Sequence, residues 1–226
     1  MNIDAKSFFA IPAVLAAAIL FASEAVSYAP TASGNSAATA NLSFDGAEYK
    51  IDAAHSRFMV KALAGGLFSA FAHDHNIAIR DFGGSVRFTY DTVSPASLHL
   101  VIKSASLAIT DKVSDSDREK IEKTMREEVL QAGAHPEIIF NSSEVEASKV
   151  SDSQYRARIK GDLSLRGVTK SVVINAQLGF GNGSLRAQGA FTLKQSEYGI
   201  KPVSVAGGTI KVKDELKFTF DIAAHS

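Results

Sequence analysis

The chain of 226 residues is long enough for one domain with accessory segments, and its 46% hydrophobic residues can fill a substantial core. Its 24 basic and 24 acidic side chains leave no net charge, which argues against nucleic-acid binding, because that depends on a large excess of Lys and Arg. The absence of cysteine excludes disulfides, thiolate metal sites, cysteine nucleophiles and lipid attachment through a cysteine.

The N-terminal residues predict export. Lys6 and the α-amino group precede an apolar run over 8–22, which is interrupted by Pro12. This run is shorter than the roughly 20 residues of a membrane span, but it suits the apolar region of a signal peptide. Ser23-Glu24-Ala25 has small residues where a signal peptidase reads, so we expect cleavage after Ala25; an uncleaved anchor is the alternative. We predict a signal peptide over 1–25 and a periplasmic or secreted mature protein.

The rest of the chain divides into a linker and one domain. Residues 26–47 are rich in Ala, Ser, Thr, Asn and Gly without periodicity, which predicts a flexible linker. Residues 48–226 show no internal repeat and no sign of a second domain. We therefore predict a single folded domain there.

Alternation of apolar and polar side chains dominates this domain. It is clearest in three long runs, 156–166, 171–180 and 185–193. Weaker forms predict strands near 49–52, 57–63, 75–79, 84–90, 97–104, 138–145 and 215–223. Strands with one buried and one wet face belong to antiparallel sheets, and Gly181-Asn182-Gly183 predicts a hairpin. About ten short strands with close turns indicate a sandwich or a barrel.

One segment, 117–131, has helical spacing instead. Apolar residues recur there every four positions among charges: Ile121, Met125 and Val129. Ser116 and Glu119 have the spacing of a capping box, and Pro136 prevents continuation beyond the end. We predict one amphipathic helix that packs its stripe against the barrel or covers one opening.

Six stretches, in order along 49–223, resemble the YceI-like family of polyisoprenoid-binding proteins. They are YKIDAAHS (49–56), FGGSV (82–86), HPEIIFNS (135–142), GDLSLRGVTK (161–170), SEYGI (196–200) and DELKF (214–218). The resemblance implies an all-β fold, an antiparallel lipocalin-like β-barrel of about eight or more strands with one helix. It also implies an apolar tunnel for an isoprenoid chain. The polar, histidine-rich segment 72–76 departs from the family pattern.

The interior of such a barrel is either filled by side chains or open to one small ligand, and the alternating pattern alone leaves both alternatives open. The resemblance favours a ligand tunnel. The candidate ligand-binding residues are the apolar, inward-facing ones: Phe58, Val60, Phe88, Leu98, Leu100, Ile102, Ile159, Leu163, Val172, Ile174, Leu178, Phe191 and Phe218.

The histidines at 73 and 75 are the one cluster with metal-ligand spacing. At i and i+2 on a strand they would point the same way, and His55 could join them from a neighbouring strand. A zinc or copper site needs three or four ligands, so a hydrogen-bonded polar rim at the barrel mouth is the favoured interpretation. We predict no metal and no cofactor. Ser56 and His55 face opposite sides of a strand, so they do not form a nucleophile–base pair.

These observations predict a binding protein without enzymatic activity. Its ligand would be an apolar chain, an isoprenoid quinone or polyprenyl lipid, held for storage or transport. Membrane contact would be transient, for ligand exchange, and family resemblance allows a homodimer. Two alternatives remain open at this stage: a metal-binding or enzymatic protein using His73-Asp74-His75, and a ligand-free, stress-protective barrel.

Overall fold

The computed structural model describes residues 46–66, 73–89, 95–205, 207 and 209–226. The predicted signal peptide over 1–25 lies outside the described residues, as does nearly all of the predicted linker over 26–47. Both therefore stay predictions. No helix in the described part of the chain is long and apolar enough to cross a membrane.

The described residues form a closed antiparallel barrel, which confirms the predicted fold. Its strands and their additions are β1 (Ala47–Gly65), β2 (His75–Ile79), β3 (Phe82–Phe88), β4 (Ser97–Lys103), β5 (Leu107–Ile109), β6 (Glu137–Ser151), β7 (Gln154–Leu165), β8 (Val168–Gly181), β9 (Ser184–Lys194), β10 (Ser204–Val205) and β11 (Ile210–His225). Eight of them close the barrel in the order β1-β3-β4-β6-β7-β8-β9-β11, with β11 pairing back to β1. Strands β2 and β5 extend from the second half of β1, and β10 pairs with the start of β11.

Strand β1 spans two predicted strands, 49–52 and 57–63. The pairing register with β11 shifts between Asp52 and Arg57, where the alternation of the sequence is interrupted. The Ser56 hydroxyl bridges this irregularity, because it accepts a hydrogen bond from the Ala223 backbone N–H at 2.9 Å and donates one to the Asp52 carbonyl. The separation into two strands was wrong because a β-bulge breaks the pattern without ending the strand.

Two tight hairpins connect the long strands. Arg166-Gly167 joins β7 to β8 with φ angles of 51° and 74°, and Asn182-Gly183 joins β8 to β9 with 50° and 71°. Positive φ at both central residues is the type I′ geometry, whose twist matches that of the flanking strands. The predicted hairpin at 181–183 is confirmed, with Gly181 as the last residue of β8.

The helical segment consists of α1 (Asp115–Thr124), which continues in a π-helical turn at Met125–Val129. Its N-cap is Ser114, whose hydroxyl accepts a hydrogen bond from the Asp117 backbone N–H at 3.1 Å. The predicted capping box of Ser116 and Glu119 was wrong, since Ser116 lies inside the first turn. Ser114 takes the role because its backbone is extended, with φ −62° and ψ 153°, as an N-cap requires.

Candidate ligand-binding cavity

An apolar cavity of about 620 Å³ occupies the interior of the barrel. This volume lies within the range of small-molecule sites, about 300–1,000 Å³. All thirteen candidate residues line it: Phe58, Val60, Phe88, Leu98, Leu100, Ile102, Ile159, Leu163, Val172, Ile174, Leu178, Phe191 and Phe218. The structure therefore brings the whole set to one surface, and their contact with a ligand stays a prediction.

One end of the barrel is closed by an aromatic floor, formed by Tyr49, Phe88, Tyr155 and Phe180. All four side chains are buried. The Phe88 and Phe180 rings stack with centroids 4.6 Å apart, and Tyr155 meets both edge-on at 5.3 and 5.5 Å. Tyr49 also meets Phe180 edge-on at 5.9 Å. Of these four residues only Phe88 lines the cavity, so the cavity ends at the floor.

Above the floor lies the cavity wall, formed by Val172, Ile174, Phe191, Phe218 and Phe220 on β8, β9 and β11. These side chains line the cavity and pack against the core, yet they are only half-buried. Inward-facing residues of a filled barrel would be buried as completely as the floor is. Their remaining accessible surface faces the cavity, so side chains do not fill this section.

Glycines in the strands explain part of this open section. A Cβ added to Gly189 would lie 2.5 Å from the Phe220 ring, and one added to Gly161 would lie 2.5 Å from the Phe140 ring. Each ring therefore occupies the space above a glycine on a neighbouring strand. Because the Phe220 ring lies over Gly189, it stays against the wall and does not extend across the interior.

The mouth is the opposite end of the barrel, where β2, β5 and α1 lie. Ile121, Met125 and Val129 line the cavity, as the helical stripe predicted. The helix is fastened to β5 because Arg118 donates hydrogen bonds to the carbonyls of Ile109 and Asp111. The Glu122 carboxylate accepts a further bond from the Ile109 backbone N–H at 3.0 Å. The helix thus covers the mouth as a tethered lid.

The histidine segment lies at the mouth as a polar rim. The His75 Nδ1 is 3.0 Å from the Asp111 carboxylate, which also accepts hydrogen bonds from the Asn76 backbone and side chain. Burial alone would raise the pKa of Asp111, but the hydrogen bonds from Asn76 and His75 outweigh it and hold that pKa below its usual range. The His75 ring nitrogen and the Asp111 carboxylate are therefore engaged with each other, and these hydrogen bonds hold the polar rim in place.

The alternative metal set of His55, His73 and His75 does not come together in the described residues. Strand β2 begins at His75, so His73 precedes the strand, although both histidines line the cavity. His75 pairs with Ala62 of β1, whereas His55 lies on the order of 20 Å further along that strand and contacts Asp52 at 2.7 Å. The described residues contain no group of three or more His, Asp or Glu side chains arranged to hold a metal ion.

Among the cavity-lining residues outside the candidate set are Gln195 and Tyr198, which lie outside the strands. They lie in a 3₁₀ turn, Gln195–Tyr198, that follows β9 and closes one side of the cavity near the mouth. Gln195 donates a hydrogen bond from its side-chain amide to the Lys213 carbonyl at 3.0 Å. The SEYGI stretch was the available signal, but alternation does not extend to residues outside strands.

The sequence profile of the YceI-like domain matches residues 49–224. A UPF0312 protein of Pseudomonas paraeruginosa is 35% identical over 167 residues, which cover 69% of this chain and 77% of the relative. A UPF0312 protein of Photorhabdus laumondii is 33% identical over 150 residues, which cover 65% of each chain.

Solved structures with similar folds have much lower sequence identity. BcnA of Burkholderia cenocepacia matches with a TM-score of 0.59 at 16% identity, over 76% of this chain and 98% of BcnA. A polyisoprenoid-binding domain from Saccharophagus degradans, implicated in plant cell wall breakdown, matches with a TM-score of 0.58 at 12% identity, over 79% of this chain and 98% of that domain. These likenesses show a shared barrel fold.

Proposed function

This chain belongs to the YceI-like family, and from that premise we propose that it is an exported binding protein for an apolar chain. The ligand is an isoprenoid quinone or polyprenyl lipid, held in the barrel cavity for storage or transport. The observation that carries the proposal is an apolar cavity closed at one end by the aromatic floor. The polyisoprenoid-binding domain with the same fold supports the ligand class.

The shape and chemistry of the cavity suit a long apolar tail. Burial of apolar chain contributes about 0.8 kcal/mol per methylene, which is offset in part by ordering of the chain and lost translational freedom. Because the floor closes one end, a tail enters from the mouth, beneath α1. The half-buried cavity wall gains burial when a tail covers it. A ligand-free protective barrel would have no need of this unfilled section.

A matched pair of variants tests the cavity. Ile174 faces the cavity, whereas its neighbour Val173 faces outward and is 42% exposed. We expect Ile174→Phe to weaken uptake of an added prenyl quinone about tenfold, or about 1.4 kcal/mol, because the larger ring occupies cavity space that the tail would fill. Val173→Phe places the same ring on the outer face and should leave uptake unchanged. Solvent extracts of the purified wild-type protein, analysed by mass spectrometry, should contain an isoprenoid lipid.

The proposal fails if the wild-type protein yields no extractable lipid and Ile174→Phe leaves quinone uptake unchanged. Export has its own test, N-terminal sequencing of protein recovered from the periplasm or medium. We expect a chain that begins at Val26, since the apolar run at 8–22 is followed by the Ser23-Glu24-Ala25 site. A cytoplasmic chain that still begins at Met1 would contradict it.

A further inference from the structure

The aromatic residues that line the cavity are unevenly distributed around the barrel. Three of them, Phe191, Phe218 and Phe220, belong to β9 and β11 and are half-buried, with their accessible surface toward the cavity. These three rings form the aromatic side of the cavity. The lining side chains of β4, β7 and β8 are aliphatic, apart from Ser97. The cavity therefore has two sides of different chemistry.

The other aromatic side chains at the cavity, among the described residues, offer a ligand very little surface. Phe88, Phe140 and Tyr198 are at most 2% exposed, and Phe58 is 6% exposed. A ligand contacts only atoms that are accessible from the cavity. Contacts between a ligand and aromatic rings are therefore concentrated on the aromatic side.

Ring contacts hold the aromatic side in place without a ligand. Phe191 and Phe218 stack with centroids 4.8 Å apart. Phe58 meets Phe218 and Phe220 edge-on at 6.5 and 6.3 Å. The Phe220 ring also lies over Gly189, where no side chain competes for the space. Side chains that are already ordered lose little conformational freedom when a ligand binds, so this surface is pre-organised.

The aromatic side lies in the half of the barrel that is nearer the mouth. Phe191 is six residues beyond Leu185, which pairs with Phe180 of the floor, and three residues before Lys194, where β9 ends. Six residues span about 20 Å along the strand, or on the order of 15 Å along a barrel axis to which the strands are tilted by about 35–45°. A head group beside Phe191 therefore leaves room for several prenyl units above the floor.

We propose that the aromatic side binds a flat, conjugated head ring, such as that of a naphthoquinone. The cavity then prefers a prenyl quinone to a polyprenyl lipid with the same tail. This inference rests on the proposed function and narrows its ligand class. It also orients the ligand, with the head ring at the aromatic side and the tail extending toward the floor.

The chemistry of the three rings favours such a head over a hydroxyl or a phosphate. Aromatic rings in offset-stacked or edge-to-face arrangements gain affinity beyond the burial of their apolar area. A hydroxyl or phosphate head makes no such contact. It also loses its water at this position without a hydrogen-bond partner, because the three phenylalanine rings carry neither donors nor charged groups.

The test compares menaquinone-4 with geranylgeraniol, which has the same tail of four prenyl units but a hydroxyl in place of the naphthoquinone ring. Phe191→Leu and Phe218→Leu each remove a ring and keep an apolar side chain. We expect each variant to weaken menaquinone-4 binding about 2- to 10-fold more than geranylgeraniol binding, the range for aromatic pairs. The control is Phe82→Leu, the same change in a buried ring that contacts Phe58 at 5.9 Å but does not line the cavity. It should leave the ratio of the two affinities unchanged.

The position of the head ring has a separate measurement in the wild-type complex. We expect nuclear Overhauser contacts between the ring methyl group of menaquinone-4 and the ring protons of Phe191 or Phe218. Contacts with Phe88 instead would place the head at the floor and overturn the proposed orientation. Because this measurement uses the wild-type protein, its result stands even if a variant unfolds.

The affinities separate this inference from the proposed function. Equal weakening of both ligands in Phe191→Leu and Phe218→Leu would assign the rings a packing role and overturn the preference, while the carrier function would stand. Unchanged affinities in both variants would also overturn it. Failure of the wild type to bind either lipid would overturn the proposed function, and this inference with it.

Discussion

The aromatic floor and the cavity wall are built from the same kind of sequence, yet the floor is filled by side chains and the wall surrounds open space. Both come from alternating strands with large apolar residues facing inward, and β8 contributes Phe180 to the floor and Ile174 to the wall. The floor rings are buried and contact one another across the barrel. The wall side chains are half-buried and face open space. The difference depends on which rings meet across the interior.

Phe191 shows why large residues alone do not fill a barrel. Its ring stacks on that of Phe218 at 4.8 Å with an interplanar angle of 9°, and these two residues are paired on adjacent strands. Each ring therefore has its stacking partner on the adjacent strand, and neither ring reaches across the centre of the barrel. Phe88 and Phe180 also stack, but their strands, β3 and β8, are not neighbours in the barrel. Contact between non-adjacent strands is what closes the floor.

Truncation of a ring in each region should give the largest contrast. We expect Phe180→Ala to lower the free energy of unfolding by about 3–5 kcal/mol, because it opens a cavity in a packed cluster. Phe191→Ala enlarges an existing cavity and should cost about 1–2 kcal/mol, close to the loss of its apolar burial. Urea unfolding of both variants measures the difference. Equal losses would mean that the wall is packed as tightly as the floor.

Gly189 tests the wall by an added atom instead of a removed ring. The Cβ of Gly189→Ala would lie 2.5 Å from both the Phe220 ring and the Asn175 carbonyl, so the ring must move into the cavity. We expect a loss of about 1–3 kcal/mol, as in other overpacked sites. Gly179→Ala on the adjacent strand is the control, because its Cβ would meet no atom within 4 Å. If both variants unfold at the wild-type midpoint, Phe220 is not held by the glycine.

A substitution in the lid helix α1 should lower stability less than the substitutions in the floor and the wall. Ser114→Ala removes the N-cap of α1 and should cost about 1 kcal/mol of local helix stability. Hydrogen exchange of the α1 amides should accelerate accordingly, while floor amides keep their protection. Ser116→Ala lies two residues further on, inside the first turn, and should change exchange little. The reverse ranking would restore Ser116 as the cap.

The polar rim predicts a pH dependence confined to acid. The pKa of Asp111 is lowered in the folded protein, so its carboxylate stabilises the fold above the unfolded value near 3.9. This contribution is lost as the pH falls through the lowered folded pKa. We expect the stability of Asp111→Asn to decline less steeply than that of wild type below about pH 4. Urea midpoints measured from pH 6 to pH 2 would show parallel curves if the rim contributed nothing.

The strands were largely predictable because alternation needs only local information. The run at 171–180 lies within β8, and the turn at Asn182-Gly183 is where its composition placed it. Prediction failed at two places. The bulge that Ser56 bridges interrupts the alternation without ending the strand, and Ser114 and Ser116 are both plausible N-caps from their sequence alone. Strands β5 and β10, of three and two residues, are too short to show a period.

The sequence predicted which residues line the candidate site, but it did not predict whether the site is open or filled. Inward-facing residues follow from alternation, which is why all thirteen line the cavity. Whether they leave open space depends on contacts between distant strands, such as Phe88 with Phe180, which no local pattern encodes. Tyr198 escaped prediction for a different reason. Its burial follows from a turn folding back over the barrel, and turns carry no inward or outward period.

We expect the seam between β1 and β11 to close late in folding. Ser56 and Ala223, which hydrogen bond at this seam, are 167 residues apart in sequence. Contacts so distant require closure of a long loop before they contribute any stability, and proteins dominated by such pairings fold in milliseconds to seconds. The hairpins from β6 to β9 can form first, because their partners are neighbours in sequence. Until β11 is available, the edges of β1 and β9 stay unpaired and the interior stays accessible to water.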